Sequence, residues 1–391
     1  MPTLYFDHNA TTRIAPEVAE TMAAASRDVY GNASSVHGPG QLARQQLERA
    51  RGTIAGFMHA SPDALVFTSG GTESNNLALL GLMRSLPGDR KHVITSAIEH
   101  PAVLEASRQL EREGVEVTYA SVDRTGRVDV DQIRQSLRPH TVLISVMHAN
   151  NETGTIQPIQ EIAAVARERR AAGQEIYIHS DGVQAAGKVE VDVQLLGVDL
   201  YSVSAHKIFG PKGVGALFVR KGTPLHSIQH GGRHERGRRP GTENVPGAMA
   251  FETAVLLYTP NECRYVASLR DFFEAEMLAA APDIEINGTT ETRLPNTSNL
   301  LFPGLPAEAL VIALDMKGVA VSTGSACSSG SIDASHVLLA MGRSPQDARS
   351  SVRFSFGRYN TREEVNRLIE AVVTCRRQLR NAKQETRLVA V

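Results

Sequence analysis

Five apolar runs between Val66 and Val203 each end in residues that can bind ligands or move protons. Val66-Phe67 leads into Thr68-Ser69-Gly70-Gly71-Thr72-Glu73-Ser74-Asn75-Asn76, and Val93-Ile94-Thr95-Ser96 into Glu99 and His100. Ser145-Val146-Met147 precedes Asn150, Asn151 and Glu152, and Ile176-Tyr177-Ile178 precedes Asp181 and Gln184. Tyr201-Ser202-Val203 precedes Ser204, His206 and Lys207. Open α/β sheets bind ligands beyond the carboxyl ends of their strands. Hydroxyl, imidazole, amide, carboxylate and ammonium groups delivered to one such edge predict an active site.

The loop from Ser69 to Thr72 can cradle a phosphate, because its glycines let the backbone approach an anion and the next helix presents free N–H groups. It lacks the Gly-Lys-Ser/Thr ending of a P-loop, and taken alone it reads better as a plain strand-to-helix turn with an N-cap. Asp181 follows a buried run, where a carboxylate needs a cationic partner. An Asp181–Lys207 salt bridge would supply one. A pyridoxal phosphate site would use more of the residues. The lysine would form a Schiff base, the aspartate would keep the pyridine nitrogen protonated, the loop would take the phosphate and His100 would stack on the ring.

One thiol also invites a chemical reading. Cys327 sits in Ser322-Thr323-Gly324-Ser325-Ala326-Cys327-Ser328-Ser329-Gly330-Ser331, whose small and polar residues predict an exposed, mobile loop. A thiol there is badly placed for packing and well placed to reach a substrate, although at a pKa of about 8.5 it needs activation by a base or cation. Cys263 and Cys375 fall in helical patterns and read as structural.

The elements that must position these groups follow from the apolar pattern. Seven runs (Ala64–Thr68, His92–Ser96, Val115–Ala120, Thr141–Met147, Glu175–His179, Asp199–Ser204 and Val214–Val219) alternate with helical stretches at Glu73–Arg84, Pro101–Glu113 and Ile159–Ala172. Near-continuous apolar runs are strands buried on both faces, so a mostly parallel sheet in a doubly wound α/β domain is predicted. A long helix precedes it over Gly40–Met58. Past Thr259 a smaller α+β unit is expected, with helices at Asn261–Ala280 and from Thr361 to about Lys383. Strands are expected between them at Ile284–Asn287, Thr297–Phe302, Val319–Ser322 and Ser351–Phe356. The resulting division is 15–259 for the large domain, and 1–14 with 260–391 for the small one.

Composition removes several alternatives. Lys plus Arg number 41 against 42 Asp plus Glu, which argues against binding nucleic acid by bulk charge. Tryptophan is absent and aromatic residues make up 5%, so base-stacking platforms are not expected. Three widely spaced cysteines exclude a disulfide scaffold and a four-cysteine metal site, and no metal centre is expected. No targeting leader and no bilayer-length apolar run is visible, which points to the cytoplasm.

The motifs resemble the cysteine desulfurases of the NifS/IscS type, within the class V aminotransferases and fold type I of the pyridoxal phosphate enzymes. The matching segments are Phe6-Asp7-His8-Asn9-Ala10-Thr11-Thr12, Gly31 to His37, Ser69 to Asn76, Glu99-His100-Pro101 and Asn150-Asn151-Glu152-Thr153-Gly154. They continue with Asp181-Gly182-Val183-Gln184, Ser204-Ala205-His206-Lys207, Arg238-Arg239-Pro240-Gly241-Thr242, Gly324-Ser325-Ala326-Cys327 and Ser351 to Ser355. They run in the family's order over nearly the whole chain, and the long Cys loop is similar to that of the first desulfurase group.

The resemblance implies that Lys207 holds pyridoxal 5'-phosphate covalently and moves protons at the substrate Cα. It implies that Asp181 pairs with the ring nitrogen, Gln184 with the ring hydroxyl, and that His100 stacks on the ring and assists proton transfer. Gly71, Thr72, Ser204 and His206 would bind the phosphate, with Thr242 supplied by the partner subunit of a homodimer. Asn151, beside the cofactor, and Arg353 would hold the carboxylate of L-cysteine. Cys327 would take its sulfur as a persulfide and release alanine, with a sulfur-acceptor protein, such as an iron–sulfur scaffold, or another thiolation pathway downstream. Selenocysteine lyase or another class V activity is the enzymatic alternative, and a partner-docking scaffold is the non-enzymatic one. Arg233–Arg239 reads as either a dimer contact or a charged loop, and the helix around Arg376-Arg377 and Arg380 as a solvated face. The short stretch after the last predicted helix leaves the acceptor, not the chemistry, open.

Overall fold

The computed structural model describes residues 3–323 and 334–389. The seven predicted runs form one sheet in the order Leu65–Thr68, Gly215–Val219, Leu200–Ser204, Tyr177–Asp181, Thr141–Ser145, His92–Ser96, Glu116–Ala120. Gly215–Val219 runs against both neighbours, and the remaining pairs are parallel. Successive side chains enter opposite apolar clusters. Val93, Leu143, Leu200 and Leu217 pack with Leu77–Met83 and the helix Pro101–Arg112. Ile94, Ile144, Tyr201 and Phe218 pack with the helices Gly38–Phe57, Ile159–Ala171 and Val245–Leu256. Burial on both faces is the reason these strands read as continuous apolar runs.

The predicted helix after the glycine loop is one continuous rod of three pieces, Gly71–Asn76, a π-turn at Leu77–Gly81, and Leu82–Ser85. The wider turn brings Gly81 against His226, where a Cβ would lie 2.6 Å from the carbonyl oxygen. The helix Val245–Leu256 was not legible in the sequence. It is buried almost all round, so its apolar residues mark no single face. The helices Pro16–Asp28, Val130–Ser136 and Ala307–Asp315 were also unread.

A separate apolar cluster is built from Phe273, Phe302, Phe354, Phe356 and Cys375. It lies among the helices Pro260–Ala280 and Arg362–Val389 and the antiparallel strands Glu285–Ile286, Thr297–Leu301 and Ser351–Ser355. The first residues belong to it. Leu4–Tyr5 pairs in parallel with Val319–Ala320, and Phe6 is fully buried edge-on to Phe356 at 5.4 Å. From there the chain crosses to the carboxyl edge of the large sheet.

Candidate active site

Lys207 closes a single 3-10 turn, Ala205–Lys207, that starts where the strand Leu200–Ser204 ends. Its ammonium donates to the carbonyls of Asn9 at 2.5 Å and Ala10 at 2.7 Å. The segment that offers them is fixed on the same turn. Thr12 donates its hydroxyl to the His206 carbonyl at 2.9 Å and accepts from the Phe209 N–H at 2.8 Å. Gln184 donates to the Asn9 carbonyl as well, at 2.9 Å.

Asp181 ends the adjacent strand, and its two oxygens accept from Asn75 Nδ2 at 2.6 Å and the Val183 N–H at 3.0 Å. The salt bridge between Asp181 and Lys207 that the sequence allows is not among the ion pairs of the described residues. Gly182 is required by what lies beneath it, because a Cβ there would sit 1.9 Å from Tyr201 Cζ. The Tyr201 hydroxyl is bonded to His148 Nδ1 at 2.7 Å.

A cavity of about 230 Å³ opens above these groups, with Asp181, Lys207, Gln184, His100, His206, Thr72, Gly71, Asn75 and Asn151 on its walls. His100 caps the helix Pro101–Arg112, and its Nδ1 accepts from the Ala102 N–H at 3.1 Å. Burial lowers its pKa, with the Asp181 charge opposing and Lys207 assisting. The pKa of His206 falls to about 4, again through burial first and then the Lys207 charge. Both rings are therefore neutral at pH 7, able to stack or share one proton.

A second cavity of about 360 Å³ adjoins the first and shares Gly71, Thr72, His206 and Ala10 with it. Gly70 takes φ +150, open to glycine but rarely to other residues, and a Cβ at Gly215 would meet its Cα at 2.7 Å. Ser204 Oγ is buried here with no hydrogen-bond partner. An orphaned hydroxyl in a glycine-lined cradle fits a phosphate, and an unbridged buried carboxylate across from it fits a protonated ring nitrogen. The donor set therefore fits pyridoxal phosphate.

Arg353 is 2% exposed, donating to the Asn151 carbonyl at 3.0 Å and Asp7 Oδ1 at 2.8 Å, and its Nε has no partner. Cys327 lies outside the described residues. On one side of it, Ser322 pairs through its backbone with Arg353. On the other, Ser335 donates to Glu152 Oε2 at 2.5 Å and His336 Nε2 meets the Glu99 carbonyl at 3.0 Å. Burial raises the pKa of Glu152 and pushes that of Glu99 up to about 8.

Thr242 is exposed and does not line this chain's own cradle. The loop before it is tied down, as Arg239 pairs with Glu73 at 2.8 Å while Glu235 pairs with buried Arg51 at 2.7 Å. A larger cavity of about 540 Å³ lies beside this loop. Its Arg51, Glu48 and Glu235 are joined in ion pairs, and it carries none of the predicted catalytic groups. Arg376 and Arg380 both pair with Asp283, in keeping with a solvated face. Asn9, Asn75, His148 and Lys188 received no role from the sequence. Asn9 offers its backbone carbonyl to Lys207 and Gln184, Asn75 lines the cavity and donates to Asp181, and His148 and Lys188 are bonded to Tyr201 and Gln184.

The model of the family described as aminotransferase class-V matches residues 4–368. The chain belongs to the class-V aminotransferases. A cysteine desulfurase IscS of Dictyoglomus turgidum is 45% identical over 98% of this chain and 98% of its own length. A solved NifS-like protein superposes on this class-V chain with a TM-score of 0.88 at 36% identity, covering 95% of it and 98% of that structure. A structure of SspA in complex with cysteine aligns at 0.81 and 34%, covering 91% and 99%. No helix among the described residues is long and apolar enough to cross a membrane.

Proposed function

We propose that this class-V aminotransferase is a pyridoxal phosphate-dependent cysteine desulfurase that passes sulfur from L-cysteine to Cys327. The observation that carries the reading is the pairing of Lys207 and Asp181 at adjacent strand ends with the unpartnered Ser204 hydroxyl in the adjoining cradle. Gly71, Thr72, Ser204 and His206 would hold the phosphate, with Thr242 from a second copy of the chain. Asp181 would face the ring nitrogen, Gln184 the ring oxygen and His100 the ring face. Bound there, the cofactor supplies an electron sink for the substrate Cα.

The chain's own groups do the rest. Asn151 and Arg353 orient the substrate carboxylate, because a guanidinium grips a carboxylate with two parallel hydrogen bonds. Lys207 removes and returns protons at Cα, and neutral His100 is placed to share that work. The Cys327 thiolate attacks the substrate sulfur, the C–S bond breaks with its electrons going to the substrate carbon, and a proton completes alanine. Cys327 is left as a persulfide for an acceptor with a thiol. The clusters on the two faces of the large sheet and the separate one around Phe273 support a division into 15–259 and into 1–14 with 260–391. The unbridged Cys263 and Cys375 fit the reducing conditions of the cytoplasm.

The test is spectroscopic and chemical. The purified protein carrying cofactor should be yellow, and should form alanine and sulfide from L-cysteine with a thiol reductant. Cys327→Ala should keep the colour and lose at least about a hundredfold in turnover, since the nucleophile itself is gone. Undiminished sulfide release from it would sink the mechanism. Lys207→Ala should lose the visible band of the lysine-bound cofactor.

A further inference from the structure

Lys188 is 8% exposed, yet among the described residues it has no ion-pair partner. A buried ammonium without a counterion is costly. The charged groups about it are chiefly cationic. Lys207 and Arg353 repel it, and His8 and His206 feel its charge in turn. Cys263 lies with it on a cavity of about 30 Å³, where the only carboxylate, Glu262, is paired to Arg358 at 2.9 Å. Burial and the Lys207 charge push the pKa of Lys188 down to about 7.

What Lys188 does touch is Gln184. Its Nζ donates to the Gln184 carbonyl at 2.9 Å and to Gln184 Oε1 at 2.8 Å. The intervening turn is built for this return. Gly187 has φ +73, and a Cβ there would lie 2.3 Å from Ile208 Cγ2. Protonated, Lys188 has only donors, so it holds the carboxamide by its oxygen, the contact seen at 2.8 Å. The NH₂ end is thereby turned to the Asn9 carbonyl and the active-site cavity, with one hydrogen on Asn9 and one to spare.

We propose that Lys188 is a positioning residue for the cofactor, holding the carboxamide oxygen of Gln184 so that Gln184 always presents its NH₂ to the ring oxygen. The proposal rests on the reading of Gln184 given above. Turned over, the carboxamide would set its own oxygen against an oxygen that carries negative charge. A merely structural residue at 188 would be better served by an apolar side chain of the same length, which needs no buried charge.

The experiment uses the full chain freed of cofactor and two ligands that cannot react with Lys207, pyridoxine 5'-phosphate and its 3-deoxy analogue. Binding is measured by calorimetry, because the chain has no tryptophan to report it. The wild type should prefer the ligand with the ring oxygen by about tenfold or more, the worth of a hydrogen bond to a charged group. Lys188→Met should lose that preference, to within about twofold, while binding the 3-deoxy analogue as the wild type does. Lys188→Gln, whose amide can accept as well as donate, should lose it too. Gln184→Glu covers the case in which neither variant folds. It gives Lys188 a counterion, so its melting temperature should rise while the preference disappears. Retention of the full preference in a folded Lys188 variant, or no rise in melting temperature for Gln184→Glu, overturns the proposal. A wild type that binds the two ligands equally overturns it as well. A wild type that binds neither ligand overturns the cofactor reading on which it stands.

Discussion

Glu99 shows what the site asks of single residues. Its side chain is fully buried, and Oε1 accepts both from Ser96 Oγ at 2.6 Å and from the Met147 N–H at 2.8 Å, while Oε2 has no partner. A fully buried oxygen with no donor leaves negative charge there unsatisfied, which favours the neutral acid. Burial is the main cause of its raised pKa, about 8 against an ordinary 4.5. The folded protein therefore keeps a proton that the unfolded chain releases between those values. The stability this contributes is full below about pH 4.5 and is lost as pH rises through 8. Glu99→Gln has the same shape and no proton to lose. The variant should match the wild type at pH 4.5 and exceed it increasingly up to pH 8, which melting curves at both pH values would check. A difference independent of pH would contradict a protonated Glu99. The residues singled out in the sequence that line the cavity, Asp181, His100 and Lys207, share one property: each stands within a few residues of the end of an apolar run. Lys188 was not legible, because its meaning depends on the Gly187 turn that brings it back to Gln184. The carbonyls of Asn9 and Ala10 were not legible either, since a backbone oxygen carries no trace of the residue type.

Strand ends act here as a rack, and what lies beneath the rack sets its height. Gly182 follows Asp181 and sits on the ring of Tyr201 from the neighbouring strand. Gly182→Ala would force a Cβ into that ring, so Asp181 or Tyr201 must shift. A cost of about 1–3 kcal/mol is expected from overpacking, read as a lower melting temperature. Weaker retention of cofactor through gel filtration should accompany it, because Asp181 is carried along. An alanine variant with unchanged stability and cofactor content would show that the strand can relax freely. Sequence periodicity placed each strand it predicted to within a residue or two, with Ile284–Asn287 shrinking to Glu285–Ile286, and missed Leu4–Tyr5. It could not find Gly182 as a contact, because the residue above Tyr201 is chosen by strand register and not by neighbours in the chain.

At the scale of the whole molecule, two apolar clusters are bridged by a short N-terminal strap. Leu4 and Phe6 are anchored in one cluster, and Asn9 to Thr12 lie on the lysine turn of the other. The Asn9 N–H is held by Ser355 Oγ at 2.9 Å. Removing residues 1–12 deletes none of the predicted catalytic side chains. It should nonetheless strip cofactor from the protein, because Lys207 loses both carbonyl acceptors and Arg353 loses Asp7. Absorption after gel filtration would measure this, and full retention of the visible band would refute the strap's role. The doubly wound sheet was legible from its apolar runs, but the strap's destination was not, because pairing between residues 4 and 319 leaves no local signature.

That strap also sets an order of events during synthesis. The carbonyls that receive Lys207, on Asn9 and Ala10, are made long before it, but what fastens them, Val319–Ala320 and Ser355, is made long after it. About 150 residues separate Lys207 from Ser355, roughly 7–30 s of elongation at ordinary rates. A nascent chain therefore shows Lys207 well before the seat for it can be completed, and the finished seat exists only after residue 355 has been made.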